Sequence, residues 1–315
     1  MMKNQFLAIA LGVLCGLSIA QTLRGFNYGS TSNGGSCQGY DGFKQLFERA
    51  KALPGTSGFN AARLYTSIQC GTSTDPIEAY RAAIDTDTMI LVGLWASAGR
   101  SIFQNELTAL ITAAKTLGTA FTDRVVGISI GSEDLYRSSP QGVANNAGQG
   151  ATASDIAGYI GWARDWFKGT PLAHIPITHV DTWTAWVLPE SAVVVQAVDF
   201  LGHNSFPYFE DARPNAIEKA SDNFWSAVHA TEGAAQGKAV WITETGWPDS
   251  GPTRRDAVPS VDNAKAYWET VGCSLFRKRH TFWYTLVDGA TTKSDLSFAL
   301  TPSSSATPKF NLTCA

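Results

Sequence analysis

Eight short segments rich in β-branched and aromatic residues recur along the chain, at 23–28, 59–66, 89–96, 125–133, 175–182, 198–205, 239–245 and 281–287. Between them apolar residues return at helical spacing. Phe43, Leu46, Phe47 and Ala50 fall at i, i+3, i+4 and i+7, and Phe103, Leu107, Leu110, Ile111 and Ala114 follow a similar spacing, which gives each helix one apolar face. Asp75-Pro76-Ile77-Glu78 supplies a capping residue, a first-turn proline and a reaching-back carboxylate for a helix through Ala83, and Thr152 to Asp155 opens another in a similar way. Ala264, Trp268 and Val271 mark the helix before the last strand, whereas the stretch 302–308 reads as loop, so an eighth helix is expected to be short or missing. Eight alternations with no linker predict an α/β fold, a (β/α)₈ TIM barrel. The alternative is a doubly wound open sheet, but Gly25-Phe26-Asn27-Tyr28-Gly29 lacks the spacing of a dinucleotide-binding turn and a helix directly after it.

The N-terminus carries Lys3, an apolar run from Phe6 to Leu17 and small residues up to Ala20. This pattern predicts a secretory signal cut after Ala20 and a mature barrel domain at 21–315, because the run is too short and too early for a membrane span. Removing it takes away Lys3 and no acid, leaving 23 basic against 27 acidic residues. Neither nucleic acid nor a membrane is expected as a partner of so balanced a chain, and a monomer is expected. Four cysteines then remain, which in a secreted protein favours two disulfides. Three pairings are possible, and Cys37–Cys70 with Cys273–Cys314 is the expected one because each pair sits at one end of the chain. No cysteine has the close Cys or His neighbour of a zinc site, and His174, His179, His203, His229 and His280 are scattered, so no metal or cofactor is expected. Asn311-Leu312-Thr313 is a possible glycosylation sequon.

In a barrel of this kind the chemistry gathers where strands end at the C-terminal face. Strict alternation along Val240-Trp241-Ile242-Thr243-Glu244 puts Val240, Ile242 and Glu244 on one row, read as inward, so that a carboxylate ends an apolar row. A lone Glu there would ordinarily be half of a structural ion pair. A second one occupies the matching place: Val126, Ile128 and Ile130 are expected to face the helices, Gly127, Ser129 and Gly131 the axis, and Glu133 the mouth. Two carboxylates projecting into one mouth suit glycoside hydrolysis, with one proton donor and one group across the sugar.

Gly131-Ser132-Glu133-Asp134-Leu135-Tyr136-Arg137 and Thr243-Glu244-Thr245-Gly246-Trp247-Pro248 resemble glycoside hydrolase family 17, in its fungal cell-wall branch. The resemblance covers essentially the whole mature chain, including Gly25 to Gly29, Arg63-Leu64-Tyr65 and Asn204-Ser205-Phe206-Pro207-Tyr208-Phe209. It implies action on internal bonds of β-1,3-glucan with retention, Glu133 as acid/base and Glu244 as nucleophile. The first requires a raised pKa at Glu133, and the second a cation beside Glu244. Arg63 is the candidate, with a structural pair to some other carboxylate as the alternative. Ser132 stands where many related barrels carry Asn, which shortens any reach to the sugar 2-hydroxyl. Tyr28, Tyr65, Asn204, Tyr208, Phe209 and Trp247 are implied substrate contacts.

Tyr136, Trp183 and Trp283 also lie near strand ends, whereas Trp95 and Trp186 are read as packing residues. Aromatic platforms suit an uncharged polysaccharide. Two other functions share these features: a glucanosyltransferase that elongates or branches wall glucan, and a wall protein that binds glucan without cleaving it. The second predicts the loss of one carboxylate, and both are present.

Overall fold

A computed structural model describes residues 22–289 and 296–314; the signal sequence read at the N-terminus lies outside these. Strands β1 (Arg24–Tyr28), β2 (Ala61–Leu64), β3 (Met89–Leu94), β4 (Val125–Ser132), β5 (Ile177–Thr182), β6 (Phe200–Asn204), β7 (Val240–Glu244) and β8 (Thr281–Trp283) run parallel in a closed barrel, each pairing with the next and β8 with β1. Closure rules out the open sheet. All eight strands fall within their expected segments and each is shorter, in part because side chains such as Tyr65, Trp95 and Glu133 already belong to the loops above the barrel.

Two apolar layers hold the barrel. Its floor is filled by Ala61, Leu91, Phe200 and Phe282, with Leu23, Met89, Val126 and Trp241 against them. Gly127 makes room for this floor: a Cβ there would sit 3.1 Å from both Leu91 and Phe200. The second layer lies between strands and helices. Helix α1 (Tyr40–Lys51) buries Phe43, Phe47 and Ala50, and α3 (Arg100–Leu117) buries Phe103, Leu107 and Leu110, as their periodicity predicts. The box at Thr152 and Asp155 caps the helix Ala153–Phe167 from both directions.

Three local expectations are corrected. Helix α2 (Ala79–Thr86) begins after Asp75-Pro76, with no side-chain cap, because Pro76 pairs with Ile68 in an antiparallel bridge and holds this segment extended. Val126 packs on the barrel floor instead of against helices, since β4 gains a residue relative to β3 between Val125 and Gly127. Val240 and Ile242 face the helix layer, not the axis, while Trp241 stacks on Phe200 inside the barrel at 4.1 Å. The helix expected at Ala264, Trp268 and Val271 is present, and it widens into a π-turn at Trp268–Gly272.

Among the described residues no helix follows β8. The C-terminal segment takes its place by burying Phe298, Leu300 and Leu312. Arg49 of α1 donates to the Pro302 and Ser303 carbonyls, Trp268 Nε1 donates to the Leu312 carbonyl, and Lys309 pairs with Asp249 at 2.8 Å. Both expected disulfides are formed, Cys37–Cys70 and Cys273–Cys314. The second closes a loop spanning 41 residues. We therefore expect the double substitution Cys273→Ser, Cys314→Ser to cost about 2–4 kcal/mol in urea unfolding. An unchanged midpoint would show that burial of the tail suffices without the bridge.

Candidate active site

The C-terminal mouth opens into a cleft of about 1610 Å³ whose walls include Asn27, Tyr28, Tyr65, Ser132, Glu133, Asn204 and Glu244. Both glutamates reach it through a break in strand register. Along β7, His203 pairs with Ile242 but Asn204 pairs with Glu244, so one extra residue lies on β7. Such a bulge reverses the alternation beyond it. Thr243 and Glu244 consequently both serve the interior, and Thr245 turns outward to bond Tyr267. Along β4, Ser129 pairs with Thr178 and Ser132 with Val180, three residues against two. Gly131 takes the bend at φ 78°, where a Cβ would sit 2.2 Å from the Asp134 carboxylate.

Glu133 then adopts the left-handed region at φ 60°, a conformation that costs a non-glycine residue on the order of 1–3 kcal/mol. Hydrogen bonds on both sides hold it there. The Asp134 carboxylate accepts from the Ser132 N–H at 2.7 Å and the Ser97 hydroxyl at 2.5 Å. The Asp181 carboxylate accepts from the N–H groups of Leu135, Tyr136 and Thr182. The first two open the short helix Asp134–Ser138, whose start needs acceptors. His179 lies between the Ile130 carbonyl at 2.6 Å and Asp181 at 2.9 Å. Both neighbours are acceptors, so both ring nitrogens carry protons. Burial acts to lower the pKa of this imidazole, but the hydrogen bond and charge of Asp181, with Asp134, hold it above its ordinary value.

The two carboxylates live in different surroundings. Glu133 Oε1 accepts from the Asn204 amide at 3.0 Å, and Oε2 lies 3.7 Å from Arg137. Burial, then the charge of Glu244, pushes its pKa up to about 7 against the pull of Arg137 and Asn204. Glu244 Oε1 accepts from Arg63 at 2.5 Å and from the Tyr65 hydroxyl at 2.7 Å. Arg63 is 1% exposed and also donates to Asn27 Oδ1 and Ser132 Oγ, each at 2.8 Å. Its plane rests on the Tyr65 ring, 4.6 Å from the centroid. Of the two partners open to Arg63 in the sequence, the structure selects Glu244.

The remaining predicted contacts divide. Ser132 accepts from Arg63, which leaves its own O–H to offer elsewhere. Tyr28, Tyr208 and Phe209 line the cleft, Tyr208 anchored on the Pro252 carbonyl and Phe209 42% exposed beneath Arg254. Trp247 is a correction: it is buried away from the cleft, packs between Tyr208 and Tyr267, and donates to the Val258 carbonyl. Trp283 is likewise buried, against Trp268. Trp95 is the opposite correction, 49% exposed and on the cleft wall, because β3 ends one residue before it. Trp186 is buried and donates to the Gly202 carbonyl, as expected of a packing residue. Asn311 is exposed, and its side-chain oxygen accepts from the Thr313 N–H. Asn27, Asp134, His179, Asp181 and Thr243 were not singled out from sequence. His179 and Asp181, two residues apart and so on one face of β5, carried a readable signal. Among the described residues no group of three or more His, Cys, Asp or Glu side chains could hold a metal.

Comparison with known proteins agrees with this geometry. Residues 25–298 match the family model described as the BtgE/BtgC glycoside hydrolase domain. A probable glucan endo-1,3-beta-glucosidase of Aspergillus oryzae is 48% identical over 93% of this chain and 63% of its own length, and its counterpart in Aspergillus fumigatus is 48% identical over 93% and 65%. The chain thus spans less than two thirds of these curated relatives. A crystal structure of a glycoside hydrolase family 17 beta-1,3-glucanosyltransferase from Rhizomucor miehei is similar at TM-score 0.74 and 26% identity, covering 92% of this chain and 97% of that one. An active-site mutant of that enzyme is known in complex with laminaritriose. The chain belongs to the family of the BtgE/BtgC glycoside hydrolase domain, and with it to glycoside hydrolase family 17, whose motifs its two glutamate segments resemble.

Proposed function

We propose that this protein is a secreted glycosidase that cleaves internal β-1,3-glucosidic bonds of glucan with retention of configuration. One observation carries the reading: Glu133, with a pKa of about 7, shares a mouth with Glu244, which is tied to the buried Arg63. One group can hold a proton at neutral pH while the other stays with its cation, the division of labour that retaining hydrolysis needs. Glu133 gives its proton to the glycosidic oxygen as Glu244 attacks the anomeric carbon and the bond to the leaving sugar breaks. Arg63 and Tyr65 both bond Glu244 on Oε1, which favours Oε2 as the attacking oxygen. In the second step Glu133 takes a proton from water, which displaces Glu244 and restores both groups. The names of the Aspergillus relatives support the substrate, and the two disulfides fit an oxidising, extracellular setting. All of these groups come from one chain, so a monomer suffices.

A second reading is supported by the Rhizomucor miehei neighbour, a glucanosyltransferase by name. Here another glucan hydroxyl, not water, receives the sugar from Glu244. Cleft residues near Glu133, Tyr136 and Trp183 among them, provide aromatic surface for such an acceptor. Time-resolved product analysis on laminari-oligosaccharides separates the two. Products only shorter than the substrate at every concentration mark a hydrolase, and early products longer than the substrate at high concentration mark a transferase.

Glu133→Gln should lower kcat by about 10²–10⁴-fold and Glu244→Gln should abolish turnover, with laminari-oligosaccharide binding retained in both. A folded Glu244→Gln protein with most of its activity would overturn the assignment, as would carboxyl groups separated by much more than about 5–5.5 Å in a crystal structure. Because Glu133 must be protonated at the start, kcat/KM should fall as pH rises through about 7. Arg137 lowers the Glu133 pKa, so Arg137→Ala should move this limb to higher pH. A limb that stays in place or moves down would remove Glu133 as the proton donor.

A further inference from the structure

Helix α3 carries a carboxylate where its face meets the barrel. Glu106 is 1% exposed, and no cation is among the groups that act on it. Burying a carboxylate without a counter-charge is expensive unless hydrogen bonds compensate it. Burial raises its pKa to about 7. Its compensation is specific: the Thr66 hydroxyl donates to Oε1 at 2.5 Å, the Ser67 N–H donates to Oε2 at 2.6 Å, and the backbone N–H of Trp95 donates as well. Thr66 and Ser67 follow β2, and Trp95 follows β3. The Ser67 hydroxyl ties the same two segments again through the Gly93 carbonyl at 3.0 Å.

What the two segments share is the cleft. Tyr65, adjacent to Thr66, places its hydroxyl on Glu244 Oε1 at 2.7 Å and its ring under Arg63. Burial and the charge of Glu244 hold the Tyr65 pKa well above its ordinary value, so this hydroxyl remains a donor. Trp95 presents its indole at the cleft wall. We propose that Glu106 is a positioning residue for the reaction, holding the β2 and β3 ends so that Tyr65 stays on Glu244 and Trp95 stays on the sugar path. This inference rests on the glycosidase reading. Glu106 touches neither sugar nor reacting atoms, and its effect passes through Tyr65 and Trp95.

The test measures kcat and KM on laminari-oligosaccharides well below each variant's Tm. Glu106→Ala should lower kcat/KM by up to about 10²-fold, the scale of a misplacement of roughly 1 Å at a reacting centre. Glu106→Gln, which keeps an acceptor oxygen and can still meet the Thr66 hydroxyl, should restore most of it. In a Tyr65→Phe background Glu106→Ala should cost much less, because the two substitutions disturb the same contact. Thr170→Ala, which removes the cap of the turn entering β5 at the end of the barrel opposite the cleft, serves as the control and should lower Tm with kcat/KM unchanged. Should Glu106→Ala not fold, Thr66→Val carries the same cycle. Equal losses with and without Tyr65, or a lowered Tm with unchanged kcat/KM, would overturn the proposal. A wild-type protein inactive on these substrates would overturn the glycosidase reading, and this inference with it, before any variant is compared.

Discussion

Arg63 must keep a full positive charge inside the barrel with almost none of its surface in water, and the neighbours that make this tolerable are the parts of the site. Its guanidinium binds Glu244 of β7, Asn27 of β1 and Ser132 of β4. Asn27 in turn donates to the Phe282 and Trp283 carbonyls of β8. One cation therefore ties strands from both sides of the mouth. A buried pair of this kind adds little net stability, yet deleting one partner strands the other at a cost of about 3–5 kcal/mol. The arrangement is better understood as a means of holding Glu244 in place than as a means of holding the barrel together, which its apolar layers already do.

Glu133 is treated in the opposite way. Its cation, Arg137, stands off at 3.7 Å where Arg63 approaches Glu244 to 2.5 Å, and its backbone is bent into a conformation that glutamate disfavours. The distortion is offset by the fully bonded Asp134, Asp181 and His179 behind it. These buried charges face one another and the helix start at Leu135 and Tyr136, not the sugar path. The asymmetry between a carboxylate paired with Arg63 and one crowded by burial and a like charge gives two chemically identical side chains different surroundings, as the proposed division into nucleophile and proton donor requires.

The register breaks in β4 and β7 are where reading by alternation failed. The inward position of Glu244 was expected, but through strict alternation with Val240 and Ile242, and those two face the helices. The bulge at Thr243 lets an apolar outer row and an inward carboxylate coexist on one strand. Thr243 then finds a use, since its hydroxyl donates to Asn204 Oδ1 and so turns the amide N–H towards Glu133. Trp247 failed for a different reason. A motif places a residue along the chain, but which side of a loop the indole occupies depends on partners such as Tyr208, Tyr267 and the Val258 carbonyl, which are distant in sequence.

The sequence by itself determined the barrel, the order of its strands and the presence of a glutamate at the ends of the fourth and seventh, and it made one of three cysteine pairings the expected one. These follow from periodicity, spacing and residue type, which are local or cumulative along the chain. Only the tertiary structure decided that Arg63 reaches Glu244, that Trp95 belongs to the cleft and Trp247 to the core, and that Glu133 carries the raised pKa. Each of these depends on distances between strands and on exclusion of water, and such quantities exist only once the barrel has closed.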